Sequence, residues 1–188
     1  MSKPPDSPDP QELDALFARN LPPLVAFIRS RAGRAVAARE SAADIAQSVC
    51  REVLQDMQGF EYRSDEAFRG WLFVQASRKI LDRNRFWNRE RRDIGRERPP
   101  EPSEEDAKTL LTCYATLGTP SRCASAREEL ARIEAVVQEL PEAQRDAVSM
   151  SRLMRMNYID IAEAMGTSES AVRGLVARGL AAIAAKLG

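Results

Sequence analysis

Ser170, Arg173 and Ala177 recur three and four residues apart, which gathers small, polar and basic side chains on one face of a helix. Val172, Leu175, Val176, Leu180, Ile183 and Leu187 recur on another side, so that side must pack against protein. A helix of this kind suits one chemistry. Its amino-terminal half can enter a major groove, where Arg pairs with guanine edges and a hydroxyl serves as donor or acceptor. Such a helix needs a second one to hold it at a steep angle, and the preceding residues supply it. Asn157 caps a short segment in which Asp160 answers it as in a capping box. Ile161, Ala162 and Met165 form its apolar face, Gly166 stops it, and Ser168 caps the second helix. The stretch from Asn157 to Leu187 is therefore read as a helix-turn-helix. Gly-turned pairs of amphipathic helices also occur in proteins that never meet DNA, so spacing alone leaves both readings open.

Other chemistries lack their residues. The 188-residue chain contains no histidine, which removes His-dependent triads and the commonest metal ligand. No Gly-rich phosphate loop or acidic metal cluster stands in for them. Cys50, Cys113 and Cys123 form no CxxC pattern; Cys50 reads as a small core residue, and a redox role for Cys113 and Cys123 stays open. The expectation is a protein that is not an enzyme, with no catalytic residue, metal or cofactor. Lys and Arg total 28 against 28 Asp and Glu, so bulk electrostatics cannot drive DNA coating, and any contact must be local or helped by a partner. No apolar run reaches the about 18 residues of a membrane span, and MSKPPDSPDP lacks the apolar core of a signal peptide. No membrane insertion and a cytoplasmic location are expected.

The elements that must position these residues are helical throughout. Residues 1–10, rich in Pro, Asp and Ser, read as a disordered tail. From Gln11, the residues Leu13, Leu16, Phe17, Leu21, Leu24, Val25 and Ile28 form one buried stripe, with a kink expected at Pro22 and Pro23. A second helix is expected from about Ser41 to Met57. A third starts near Asp65, carries Phe68, Trp71, Leu72, Val74, Ile80 and Leu81, and runs into the basic stretch RNRFWNRERRDIGRER. Residues 93–126 are so rich in Pro, Gly, Ser and charge that they read as a flexible linker. Helical spacing resumes with Leu130, Ile133, Val136 and Val137, and Pro141 opens a further helix. The fold class expected is all-α: two small helical domains, 11–92 and 127–188, joined by a flexible linker, the second ending in the helix-turn-helix.

In its order of DIAQSVCREVL, FRGWLFVQASRKILDRNR, a linker, and LPEAQRDAVSMSRLMRMNYIDIAEAMGTSESAVRGLVARGLAAI, the chain resembles the extracytoplasmic-function sigma factors of bacterial RNA polymerase, within the sigma-70 superfamily. The resemblance implies a sigma factor that binds core polymerase and directs promoter-specific initiation. Its first domain would dock on the polymerase and read and melt the minus-ten element, and its second would read the minus-thirty-five element. The implied polymerase contacts are Asp44, Gln47, Arg51 and Leu54, whose spacing sets them on one helix face, away from Ile45, Val49 and Val53. Ser48 departs from the family's usual acid. The implied minus-ten residues are Phe60, Tyr62, Arg63, Arg78, Lys79, Arg83 and Arg85, aromatics that stack on unpaired bases and cations that follow a single strand. Lys79 replaces the usual Asn, Phe68, Trp71 and Leu72 read as core, and Trp87 either stacks on a base or covers the domain edge.

For the minus-thirty-five element the implied contacts are Glu169, Ser170, Arg173 and Arg178, with Arg173 placed for a base edge and Arg178 for a phosphate. Leu175 and Ala177 stand where relatives often carry Arg and His, and AAIAAK replaces an Arg-rich tail. Fewer cations release fewer counterions, so weak duplex binding by the isolated domain is expected. The implied partners are core RNA polymerase, promoter DNA and an anti-sigma factor. The linker acids Glu101, Glu104, Glu105 and Asp106 either mimic nucleic acid near the polymerase cleft or belong to a plain tether. Two rivals come from other classes: a stand-alone helix-turn-helix regulator that dimerises on palindromes, and a degenerate sigma-like interaction protein that reads no promoter.

Overall fold

A computed structural model describes residues 10–32, 34–56, 62, 64–89, 101–117 and 125–188. All regular structure among them is helical. In chain order the helices are α1 (Pro10–Arg31), α2 (Arg34–Ala37), α3 (Ala42–Asp56), α4 (Asp65–Arg89), α5 (Glu104–Tyr114), α6 (Ala126–Gln138), α7 (Glu142–Val148), α8 (Tyr158–Met165) and α9 (Glu169–Leu187). A π turn, Ser149–Leu153, extends α7. The expected tail lies outside the described residues except for Pro10, the first residue of α1.

α1, α3 and α4 bury the stripes read from the sequence. Leu24, Phe27 and Ile28 of α1 meet Val49 and Val53 of α3 and Phe68, Leu72, Ala76 and Ile80 of α4 in one core. α1 continues through Pro22 and Pro23, although each proline removes a backbone donor from the helix. Asn20, 2% exposed, turns its amide back to the Leu16 carbonyl at 2.7 Å, which satisfies a polar group that burial would otherwise penalise.

The stretch read as a flexible linker contains a packed helix. Within 93–126, Glu104–Tyr114 is a helix capped by Ser103, whose hydroxyl accepts from the Asp106 backbone N–H. Ala107, Leu110, Tyr114 and Leu117 are buried along one side, a helical stripe hidden in an acidic composition. The side chain of Glu104 accepts from the Ala126 backbone N–H at 2.6 Å and from Arg127 at 3.1 Å, so it caps α6. Those bonds, the Ala126 one foremost, hold its carboxyl below the ordinary glutamate range.

α1 also separates two cores. Its Phe27 and Ile28 side contributes to the core just described, which continues into Met150, Met154, Met156, Ile161, Val172 and Val176 of the carboxy-terminal half. Its Ala26 side joins Leu110, Tyr114, Leu130, Ile133, Val137, Leu153 and Ile183. The halves 11–92 and 127–188 therefore share apolar packing instead of standing apart.

α7 and α9 cross closely at Gly179, where a Cβ would lie 2.6 Å from Val148 Cγ2. A Gly179→Val substitution is expected to lower stability by about 2 to 3 kcal/mol through overpacking. That exceeds the roughly 0.5 kcal/mol of helix propensity gained on leaving glycine. A thermal melt checks this, and an unchanged midpoint would contradict the close crossing.

Candidate promoter and polymerase interface

The face on α3 begins with its cap. Ser41 accepts from the Asp44 backbone N–H at 3.1 Å and donates its hydroxyl to the Asp44 carboxylate at 2.6 Å. Asp44 is thus both a member of a capping pair and an exposed acid in the first turn, where the helix dipole favours it. Gln47, Arg51 and Leu54 share its exposed side, while Ile45, Ala46, Val49 and Val53 are buried opposite. Leu54 is 48% exposed, an apolar tip at the end of a polar stripe.

The basic segment divides into tied and open cations. Lys79 is paired with Glu52 of α3, and Arg83 with Glu40 at 3.2 Å. Both ties brace α4 against its neighbours, which places Lys79 and Arg83 in the scaffold as well as at the surface. Arg78 and Arg85 are exposed, with Arg85 3.8 Å from Asp82. Phe60 and Arg63 lie outside the described residues, as does Cys123.

Tyr62 donates its hydroxyl to Asp65 at 2.7 Å, and Asp65 also receives Arg19 at 2.6 Å. The Tyr62 hydroxyl bond, with the Arg19 charge adding to it, holds the Asp65 carboxyl below the ordinary range, and the same bond pushes the Tyr62 phenol up. A carboxyl depressed in the folded state contributes stability that is present above its unfolded pKa of about 3.9 and lost as pH falls through its folded value. Asp65→Asn should therefore lower the urea midpoint at pH 7 and flatten its decline below about pH 4. An acid limb identical to that of the parent would count against the Tyr62–Asp65–Arg19 cluster.

Phe68 and Leu72 are fully buried and Trp71 is half-buried, 6.3 Å edge-on from Phe68, as their reading as core requires. Trp87 donates its indole N–H to Glu40 at 2.8 Å and lies under the Arg39 guanidinium at 4.5 Å. Those contacts hold it against the domain edge.

The helix-turn-helix is built as its punctuation predicts. Asn157 accepts from the Asp160 backbone N–H at 2.9 Å and donates to its carboxylate at 2.8 Å. Gly166 ends α8 in the left-handed region, φ 62°, a conformation glycine adopts without steric cost. Ser168 then caps α9 by accepting from the Ala171 N–H at 3.2 Å. Glu169, Ser170, Arg173, Ala177 and Arg178 are all exposed. The Arg173 guanidinium pairs with Glu169 at 2.6 Å and stacks 5.2 Å over the ring of Tyr158, so α8 helps hold the side chain that α9 presents. Sequence reasoning missed Tyr158; its signal was an aromatic beside the Asn157 cap. Gly174 leaves room for Arg178, whose Nη1 would lie 3.1 Å from a Cβ there.

Among the described residues no group of His, Cys, Asp and Glu could hold a metal ion, and no helix is long and apolar enough to cross a membrane.

Comparison with known proteins agrees with this geometry. Residues 16–92 match the family described as Sigma-70 region 2, and residues 130–183 match Sigma-70, region 4. The RNA polymerase sigma factor NccH of Alcaligenes xylosoxydans xylosoxydans is 32% identical over 165 residues, covering 84% of this chain and 83% of the relative. The chain belongs to the extracytoplasmic-function sigma factors of the sigma-70 family. The ECF RNA polymerase sigma factor SigD of Mycobacterium bovis is 24% identical over 152 residues, covering 81% of this chain and 66% of the relative. A solved structure titled "Structure of CnrH in complex with the cytosolic domain of CnrY" shares the fold, with a TM-score of 0.56 at 22% identity over 92% of this chain and 85% of that one. As a member of this family the protein has a role in transcription initiation, a role its relatives fill as factors and not as enzymes. The two matched spans leave residues 93–129 between them, and α5 lies in that interval.

Proposed function

We propose that this sigma factor binds core RNA polymerase through the Asp44, Gln47, Arg51 and Leu54 face of α3 and places two DNA readers on a promoter. The minus-ten reader comprises α4 and the residues before it: Phe60, Tyr62, Arg63, Arg78, Lys79, Arg83 and Arg85. Exposed Arg78 and Arg85 track the single strand first, and Lys79 and Arg83 contribute by exchanging Glu52 and Glu40 for phosphate. The minus-thirty-five reader is the amino-terminal half of α9, with Glu169, Ser170, Arg173 and Arg178.

One observation carries this reading: a capped helix amino terminus that presents a tethered but solvent-facing Arg173. Helix N–H groups there favour a phosphate, and the guanidinium matches a guanine edge. Neither reader needs to bind tightly, because polymerase-bound linkage raises the effective concentration of the second contact. This suits a chain whose 28 basic residues are balanced by 28 acids. The partners are core polymerase, promoter DNA and, by likeness to the CnrH–CnrY complex, an inhibitory protein that holds the factor in reserve in the cytoplasm.

Run-off transcription with purified core polymerase on the DNA upstream of the factor's own coding sequence tests the function. The expected result is a discrete start that depends on added factor. Active core that yields no factor-dependent start on genomic fragments would overturn it.

A further inference from the structure

Tyr62 is held from two sides. Its ring packs half-buried against the core that α1, α3 and α4 share, and its hydroxyl donates to Asp65 Oδ1 at 2.7 Å. Arg19 of α1, 46 residues away in the chain, reaches the same oxygen at 2.6 Å. Two donors on one carboxylate oxygen fix each other's angle as well as their distance. Asp65 cannot turn freely either, because it is the first residue of α4, and the Ser64 hydroxyl caps that helix by accepting from the Ala67 N–H at 3.2 Å.

Stability gives little account of the Arg19 bond. Arg19 and Asp65 keep 51% and 33% of their side chains exposed, and an ion pair so open to water contributes little to folding. Orientation accounts for it better. The Tyr62 bond, with the Arg19 charge beside it, keeps the Asp65 carboxyl ionised, so both donors have a full acceptor to hold. Around the cluster, Glu12 of α1 faces the Tyr62 phenol, and Arg69 lies near Asp65 but bonds Glu66 at 2.9 Å. Arg19 is therefore the cation that bonds Asp65.

We propose that Arg19 is a positioning residue for promoter melting: through Asp65 it holds the Tyr62 ring ready to receive an unpaired base of the minus-ten element. The inference rests on the minus-ten reader proposed above and adds to it a residue that itself makes no contact with DNA. Stacking on an aromatic ring accepts any base, so its strength depends on how little the ring must be ordered at the moment of capture. A tyrosine with a loose hydroxyl would have to be ordered then. One tied through Asp65 to α1 is ordered beforehand, and the open part of its ring is what a base displaced from the duplex would meet.

Tyr62→Phe and Arg19→Ala cut the tie from opposite ends, and the first leaves the stacking ring in place. Both are made in the full-length factor, bound to core polymerase, and tested on the promoter that run-off transcription identifies, with 2-aminopurine in place of a minus-ten adenine to report opening. At saturating holoenzyme each variant is expected to open the promoter about fivefold more slowly than the parent, the scale of one side chain's ordering cost. The half-saturating holoenzyme concentration and the affinity for core should stay within about twofold of the parent, because duplex binding precedes capture of the base. Arg19→Ala combined with Tyr62→Phe should be no slower than either alone, since both cut one chain of bonds.

A purely structural defect would look different. It would lower the thermal midpoint and the amount of active holoenzyme while leaving the rate of opening at saturation unchanged, and that pattern overturns the proposal. Additive losses in the double variant overturn it as well. If the parent holoenzyme itself gives no factor-dependent opening, the two-reader function fails and the positioning role with it. If the parent opens the promoter and both single variants open it at the parental rate, only the positioning role fails.

Discussion

Arg173→Ala is expected to reduce transcription from a cognate promoter roughly five- to hundredfold, the equivalent of about 1 to 3 kcal/mol for one well-placed guanidinium on a base edge. The loss should come with relaxed preference at one base pair of the minus-thirty-five element, and core polymerase binding should be unchanged. The free-state partners of Arg173 do not offset this. Its pair with Glu169 is exposed, at 65% and 46% for the two side chains, and a pair that open to solvent contributes little. Transfer of the guanidinium from Glu169 to DNA therefore costs little. Transcription within twofold of the parent, on a promoter that needs its minus-thirty-five element, would assign α9 a role other than base reading.

Tyr114→Ala is expected to cost about 3 to 5 kcal/mol of folding stability, the range for removing a buried aromatic. Tyr114 is 0% exposed, and its hydroxyl bonds the Ala26 carbonyl at 3.0 Å and approaches Glu134 at 3.4 Å. Tyr114→Phe separates the two contributions. It keeps the ring and removes only the hydroxyl's bond to the Ala26 carbonyl, which still accepts within α1, for a cost of about 0.5 to 1.5 kcal/mol. Burial also drives the Tyr114 phenol well above its ordinary range, with the Glu134 charge reinforcing it. Its contribution is thus fully present below about pH 10, the unfolded value, and lost as pH rises through the folded one. Urea denaturation at pH 7 checks both substitutions. A cost under about 1 kcal/mol for the Ala variant, well below the usual range for a buried aromatic, would mean that α5 does not pack on α1.

These two residues mark what the sequence could and could not express. Arg173 was legible because every device that presents it is local: the Asn157 and Ser168 caps, the Gly166 stop and the helical spacing lie within 31 residues of one another, Asn157 to Leu187. The α3 face was legible for the same reason. Tyr114 was not, because its stripe of Ala107, Leu110 and Leu117 is interleaved with Glu, Asp, Lys and Thr and flanked by Pro, Gly and Ser. Composition outweighed periodicity in that reading. Nor can an amphipathic pattern name its partner: Met150, Met154 and Met156 announce a buried face but not that α1 and α4 cover it.

The cations of α4 carry partners that the sequence does not display. Charge along one helix does not reveal that Lys79 and Arg83 meet Glu52 and Glu40, acids far away in the chain. The long-range ties of Lys79 and Arg83 are therefore visible only in the fold. The same long-range pairing decides the relation of the two halves, since Arg29 and Glu134 lie 105 residues apart.

Titration of the purified factor into bacterial core RNA polymerase, followed by calorimetry or by fluorescence of a label on α9, tests the central claim most directly. A saturable one-to-one complex that is weakened by Leu54→Asp in α3 is the predicted result. Heat and fluorescence that stay flat with catalytically active core would contradict it.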